Sequence, residues 1–180
     1  MEIKVYKGRP NDERSARECA AYDFLDGLGI EYRRADHDEA QTMEACEEVD
    51  RHLGVIMCKN LFLCNRQKTD FYLLLMPADK PFKTKELSGQ LGTARLSFAS
   101  GEDMEALLGV SPGSVTVLGL INDKDMRVRL LIDADLKGAA EFGCHPLVNT
   151  SSLAFRTSDL LEKVIPATNH YPTYVTLIGE

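Results

Sequence analysis

Apolar positions fall at helical spacing in some stretches of this chain and alternate or run together in others, and the switches between the two mark out its elements. Ala16, Ala20, Phe24 and Leu28 share one helical face, which predicts a helix over Asn11 to Leu28 closed by Gly27 and Gly29. Glu31 to Ala35 reads as a short strand. Thr42 is placed to cap a second helix that reaches His52, with Gly54 beyond it. Two apolar runs follow, Val55 to Cys64 and Asp70 to Met76. Their connection, Asn65-Arg66-Gln67, is polar and turn-like, which predicts a hairpin.

The second half is more broken. Thr84 to Leu91 predicts a short helix, Arg95 to Phe98 a strand, and Ser100 with Asp103 the start of a helix ending near Gly109. Ser114 to Leu120 and Met126 to Ile132 flank Asn122-Asp123-Lys124-Asp125 and read as a second hairpin. A short helix within Asp133 to Phe142, a strand over Ser152 to Phe155, a helix over Ser158 to Ile165 and a strand over Tyr174 to Ile178 complete the chain. Helices and hairpins are interspersed, which favours a mixed α/β fold with helices around a mixed sheet over a regular parallel wind.

Lys59 stands out within Gly54-Val55-Ile56-Met57-Cys58-Lys59-Asn60-Leu61-Phe62-Leu63-Cys64. A lysine in so apolar a run must lose hydration, find a partner or face a wet cleft. The alternative is a lysine that snorkels from an edge strand.

Composition narrows the classes. The 180 residues, 44% hydrophobic, suit one compact domain over 1–180. No stretch reaches membrane-spanning length, and Met-Glu-Ile-Lys-Val-Tyr lacks the pattern of a signal peptide, so a cytoplasmic location without a membrane partner is expected. The five cysteines form no CxxC, which favours reduced thiols over metal or disulfide roles. A net charge of −7 argues against broad non-specific nucleic-acid binding, but not against a local contact. The main basic cluster is Lys80, Lys83 and Lys85, with Arg95 further on.

Gly109-Val110-Ser111-Pro112-Gly113 matches GxSxG, but a nucleophile elbow needs a strand before the serine and a helix after it. Here the predicted order is reversed, and Pro112 removes the N–H that an oxyanion hole would use. His37, His52, His145 and His170 lack zinc-ligand spacing, and there is no Walker or GxGxxG motif, so neither metal nor cofactor is expected. Asn149-Thr150-Ser151 is a sequon that a cytosolic chain would not use. In Pro112-Gly113-Ser114-Val115-Thr116, Gly113 allows a tight turn and close approach to a ligand, where backbone amides can hold a carbonyl or phosphate. In Gly143-Cys144-His145-Pro146-Leu147-Val148-Asn149-Thr150, His145 and Asn149 are candidate ligand contacts. An ordinary loop is the competing reading of each.

Taken together, Lys59-Asn60-Leu61-Phe62-Leu63, Arg95-Leu96-Ser97-Phe98-Ala99, Pro112-Gly113-Ser114-Val115-Thr116, Gly119-Leu120-Ile121-Asn122-Asp123 and His145-Pro146-Leu147-Val148-Asn149-Thr150 resemble, in order, the free-standing prolyl-tRNA editing proteins of the YbaK/ProX superfamily. The resemblance runs from about Arg14 to the C-terminus. It implies a mixed α/β domain with a barrel-like sheet and flanking helices. It also implies hydrolysis of mischarged aminoacyl-tRNA, with alanyl-tRNA(Pro) the best match.

The resemblance implies the residue roles too. Lys59 sits beside the terminal adenosine and its phosphate, and Asn60 holds the same end. Gly113 and Ser114, with Thr116, belong to the loop around the aminoacyl carbonyl and ammonium. Water attacks with help from a ribose hydroxyl, and His145 and Asn149 shape the pocket, with a general-base role for His145 the less favoured alternative. The partners implied are the tRNA acceptor end, with Lys80, Lys83 and Lys85 as its basic contact, and prolyl-tRNA synthetase. One departure stands out: the superfamily's GxxxP pattern has Val117 in place of proline. A non-catalytic module that binds aminoacyl-tRNA or a synthetase is the alternative on the same fold.

Overall fold

The computed structural model describes residues 3–39, 42–55 and 58–179, Met43 by its backbone. Strands form two sheets that share a core. The first has the order β1 (Lys4–Lys7), β2 (Arg33–Asp36), β8 (Ser151–Arg156), β7 (Glu141–Cys144) and is antiparallel throughout. The second has the order β5 (Ser97–Phe98), β3 (Lys59–Cys64), β4 (Phe71–Met76), β6 (Val128–Asp133), β9 (Thr173–Val175). In it β3 is antiparallel to β4 and β5, while β6 runs parallel to β4 and β9. The class is mixed α/β, as the sequence predicts, and among the described residues the strands do not close into a barrel.

All six residues of β4 are buried. Phe71, Leu73 and Leu75 point into the main core with Phe62, Leu130 and Ile132 of their own sheet and Phe142, Leu153 and Phe155 of the other. Tyr72, Leu74 and Met76 point the opposite way, into a second core with Leu87 of helix α3 (Thr84–Leu91), Leu96 and Leu131. A continuous apolar run is the mark of a strand covered on both faces.

Caps set several helix ends. Ser15 Oγ accepts the Glu18 N–H, so α1 (Ala16–Gly27) starts later than Asn11. Its buried stripe is Ala21, Tyr22 and Leu25, one position round from the face predicted; Ala16 and Ala20 are exposed. The shift buries a polar pair, the Tyr22 hydroxyl donating to Glu18 Oε2 at 2.6 Å, with Glu18 also bound by Arg14. Thr42 caps α2 (Met43–Leu53), which ends at Gly54 with φ +73°. Ser100 caps α4 (Gly101–Leu108). The strand predicted from Val55 begins at Lys59; Ile56 and Met57 lie outside the described residues.

The second predicted hairpin is not formed. Val117–Asn122 is a 3-10 helix, entered through the Thr116 hydroxyl, which accepts the Leu118 N–H. Gly119 explains the choice: a Cβ there would lie 3.0 Å from Leu108 Cβ and 3.1 Å from its carbonyl, so the segment packs directly on the end of α4. The following turn is pinned inward. Buried Asp123 accepts the N–H groups of Arg127 and Val128 and pairs with buried His170 at 2.9 Å. β6 therefore leaves to lie beside β4. Strands β1 and β7 escape the sequence reading, and the last helical segment, 157–167, carries a π-turn at Leu160–Val164 just before Pro166, which has no N–H to continue the α ladder.

Asp123 holds three donors from two parts of the chain. Asp123→Ala is expected to lower unfolding free energy by roughly 3–5 kcal/mol, since it strands His170 and two amides in the interior, and urea titration followed by circular dichroism measures it.

Candidate active site

A cleft of about 700 Å3 opens where several strands begin or end. Lys59 and Asn60 enter it from the start of β3, His37 from just past β2 and Ser152 from the start of β8. The loop 112–115 contributes Gly113, and the segment before β8 contributes His145 and Asn149. Small side chains complete the wall: Cys46 and Val49 of α2, Cys58, Ala78 and Val115, with the carboxylates of Glu39 and Asp50 at its acidic side.

Lys59 is half-buried, and its Nζ donates to the Lys80 carbonyl at 2.5 Å. Among the described residues no carboxylate pairs with it, so its charge is uncompensated. Asn60 Nδ2 donates to the Cys58 carbonyl at 3.1 Å and reaches Cys58 Sγ at 3.4 Å. That orientation leaves Asn60 Oδ1 buried without a hydrogen-bond partner. An orphaned acceptor on a cleft wall is a place for a ligand donor.

Gly113 has φ +90°, a backbone conformation that side chains resist, and a Cβ there would sit 3.4 Å from Asn149 Nδ2. The two predicted loops therefore meet at this point. Ser114 and Thr116 do not line the cleft. The Ser114 N–H is taken by the Ser111 carbonyl, and Thr116 is wholly buried as the cap of the 3-10 helix. Val117 is also fully buried in the main core, so the residue in the proline's place acts through packing.

His145 Nδ1 lies 2.9 Å from the Ser151 carbonyl, which can only accept, so this nitrogen carries the proton. His37 Nδ1 meets the Asp38 carbonyl at 2.7 Å in the same way, and its Nε2 takes the Ser152 hydroxyl at 2.9 Å. Burial, partly offset by the Ser151 bond and reinforced by His37, holds the His145 pKa below the ordinary histidine value. Sequence reasoning missed His37 and Ser152 because neither belongs to a motif; they meet only through strand pairing. Among the described residues no group of three His, Cys, Asp or Glu is arranged to hold a metal ion.

The basic cluster divides. Lys80 Nζ binds Asp133 at 2.7 Å and Asp135 at 2.8 Å, so two carboxylates already face its charge. Lys83 and Lys85 line a separate shallow cleft with Phe82 and Arg95. Among the described residues no helix is long and apolar enough to cross a membrane.

These features are those of an editing domain, and comparison with known proteins agrees: residues 37–163 match the aminoacyl-tRNA editing domain family. The chain belongs to that family, whose members are aminoacyl-tRNA deacylases. It is 32% identical over 143 residues to the prolyl-tRNA editing protein ProX of Acetoanaerobium sticklandii, spanning 79% of this chain and 87% of that protein. It is 31% identical over 156 residues to prolyl-tRNA synthetase associated domain-containing protein 1 of Danio rerio, spanning 86% and 84%. A solved structure described as a candidate trans-editing enzyme for prolyl-tRNA synthetase superposes with a TM-score of 0.67 over 92% of this chain and 99% of that one, at 15% identity, and so shares the fold.

Burial pushes the Cys58 thiol up to about 12, so at neutral pH it stays protonated and is no nucleophile. Alkylation with iodoacetamide is expected to label exposed Cys46 well before Cys58, with peptide mass spectrometry reading the order.

Proposed function

We propose that this domain clears mischarged tRNA(Pro), alanyl-tRNA(Pro) first, by hydrolysing the ester between amino acid and terminal ribose. The observation that carries this reading is the uncompensated Lys59 ammonium, held by the Lys80 carbonyl at the rim of a cleft walled by small side chains. An ammonium without a carboxylate partner suits the phosphate of the terminal adenosine, and the small walls suit a methyl side chain. Asn60 Oδ1, left without a donor, accepts from the same end of the substrate.

An aminoacyl ester is already activated, so positioning and a modest stabilisation of the oxyanion suffice. Pro112 has no N–H and that of Ser114 is committed to Ser111, so we assign the oxyanion contact to the amides of Gly113 and Val115, both on the wall. Burial of Val117 in the core supports an intact loop over a decayed one, and hence the enzyme over the binding module. The partners of this reading are the tRNA acceptor end and, from the relatives' names, prolyl-tRNA synthetase.

Release of amino acid from a panel of mischarged tRNAs tests it. Alanine is expected to leave fastest, glycine and serine more slowly, and proline poorly, because crowding in a tight pocket costs a larger side chain roughly 1–3 kcal/mol, about 10- to 200-fold. Preference for prolyl-tRNA would overturn the reading. Lys59→Ala is expected to lose most of the activity while remaining folded, and near-normal turnover by that variant would remove the lysine from the site.

Lys83, Lys85 and Arg95 are the cations we assign to the tRNA backbone. Neutralising each is expected to flatten the salt dependence of binding by about 0.7 to 0.9 in log–log slope. Lys80→Ala is expected to leave that slope unchanged, because its charge already faces Asp133 and Asp135. Filter binding across a salt series distinguishes the two groups.

A further inference from the structure

The cleft contains a hydrogen-bonded array that none of the roles above uses. His37 Nδ1 donates to the Asp38 carbonyl at 2.7 Å, which leaves His37 Nε2 as an acceptor. The Ser152 hydroxyl lies 2.9 Å from that nitrogen and must donate to it. Its proton spent, Ser152 Oγ turns lone pairs towards His145 Nδ1 at 3.4 Å, where the Ser151 carbonyl already sits at 2.9 Å. Both neighbours of His145 Nδ1 are therefore acceptors. The ring is held with Nδ1 protonated, and Nε2 has no partner among the described residues.

Without His37, the Ser152 hydroxyl would be free to donate to His145 Nδ1 and favour the opposite tautomer. Which nitrogen of a histidine is basic is set by what the other one meets.

The register of β2 against β8 builds this array. Asp36 pairs with Ser151 and Ala35 with Ser152, and the His37 N–H reaches the Thr150 carbonyl at 3.0 Å. Ser151 is fixed from its other side as well, its hydroxyl donating to Asp36 Oδ1 at 2.7 Å. The resulting His37 and His145 rings lie 6.5 Å apart.

We propose that His37 and Ser152 are positioning residues for the deacylation, holding His145 so that its Nε2 takes the proton of the attacking water. This rests on the deacylase reading. Water forms its bond to the ester carbonyl carbon as its proton passes to Nε2. The tetrahedral intermediate then expels the ribose oxygen, which takes the proton back from Nε2. The resemblance gives proton handling first to a ribose hydroxyl, with His145 the second choice; the array shows how the protein holds His145 for that role. Ser152 resembles a serine activated by a histidine, but at 1% exposure it offers a carbonyl carbon no approach.

The test is hydrolysis of alanyl-tRNA(Pro) across the acid limb of the pH profile, with Ser152→Ala, His37→Phe and His37→Gln. The other titratable groups on the same cleft, Glu39, Cys46, Asp50, Cys58 and Lys59, stay unchanged in all three. Ser152→Ala and His37→Phe are expected to lower kcat roughly 10- to 100-fold, with KM within about twofold. His37→Gln keeps an acceptor for the Ser152 hydroxyl and is expected to recover most of the loss. Both His37 variants remove a neighbour that depresses the His145 pKa, so their acid limb is expected to move to higher pH. Imidazole 15N shifts of His145 are expected to report protonated Nδ1 in the wild type and in Ser152→Ala, where the Ser151 carbonyl remains, and a tautomer mixture in His37→Phe, where the Ser152 hydroxyl is free to donate to Nδ1.

Unchanged kcat with an unmoved acid limb would overturn the proposal. So would 15N shifts unaltered in His37→Phe, or an acyl group trapped on Ser152. A wild type that releases no amino acid from any ester would overturn the deacylase reading itself, and the 15N shifts, which need no turnover, tell that failure apart from failure of the array.

Discussion

Strand β4 has no face towards water. Six consecutive apolar residues, Phe71 to Met76, must be covered on both sides, and the rest of the architecture follows from that demand. One side draws in the strands of the first sheet through Phe142, Leu153 and Phe155, and the other draws in α3 through Leu87. With the strand middles committed to packing, polar chemistry is pushed to the strand ends. Lys59, His37 and Ser152 all stand at such ends, and that is where the cleft lies.

Two lysines separated by one β-hairpin show how the same charge is put to different ends. Lys80 is neutralised by Asp133, itself wholly buried, and by Asp135. That clamp fixes the turn after β4, in which the Lys80 N–H also meets the Pro77 carbonyl, and so fixes the carbonyl that receives Lys59. Lys59 is thereby aimed without being neutralised. A carboxylate in place of that carbonyl would aim it equally well but would cancel the charge that the proposed phosphate contact requires. The economy matters in a chain of net charge −7, in which aspartate and glutamate outnumber lysine and arginine 28 to 21.

Local signals were legible where one residue type settles the geometry. Thr42, Ser100 and Gly54 announce helix ends, and the run around Lys59 announces a buried strand with a misfit in it. The site was legible as two loops that carry Gly113, His145 and Asn149, because glycine, histidine and asparagine there have few structural uses. What pairs with what was not legible. Val117–Asn122 has the β-branched, apolar look of a strand, but Gly119 lets it press against Leu108 as a 3-10 helix, and that preference comes from a contact with a residue eleven positions away. His37 and Ser152 carry no signal at all: one follows a short strand, the other begins one, and only the β2–β8 register joins them. Nor did the sequence show the neighbours that occupy two residues of functional pattern, the Ser111 carbonyl on the Ser114 N–H and two aspartates on Lys80.

Three groups at or beside the cleft that could attack an ester by themselves are disarmed, and burial together with the charge of Asp50 raises the pKa of a fourth, Cys46. Ser111, the serine of the GxSxG match, donates its hydroxyl to Glu105 at 3.2 Å on the exposed surface. Cys58 is kept protonated by burial, and Ser152 is buried with its hydroxyl proton given to His37. What remains open is a set of groups that hold or accept: an ammonium, an orphaned amide oxygen, a glycine loop and an unpartnered imidazole nitrogen. Such a set makes no covalent intermediate and relies on the reactivity of its substrate. Restraint of that kind fits a reaction whose ester is activated from the start, because a stronger nucleophile would add rate where little is needed and would put correctly charged tRNA at greater risk. In the proposed reading, discrimination then falls to the size of the pocket, where Val49, Ala78 and Val115 stand.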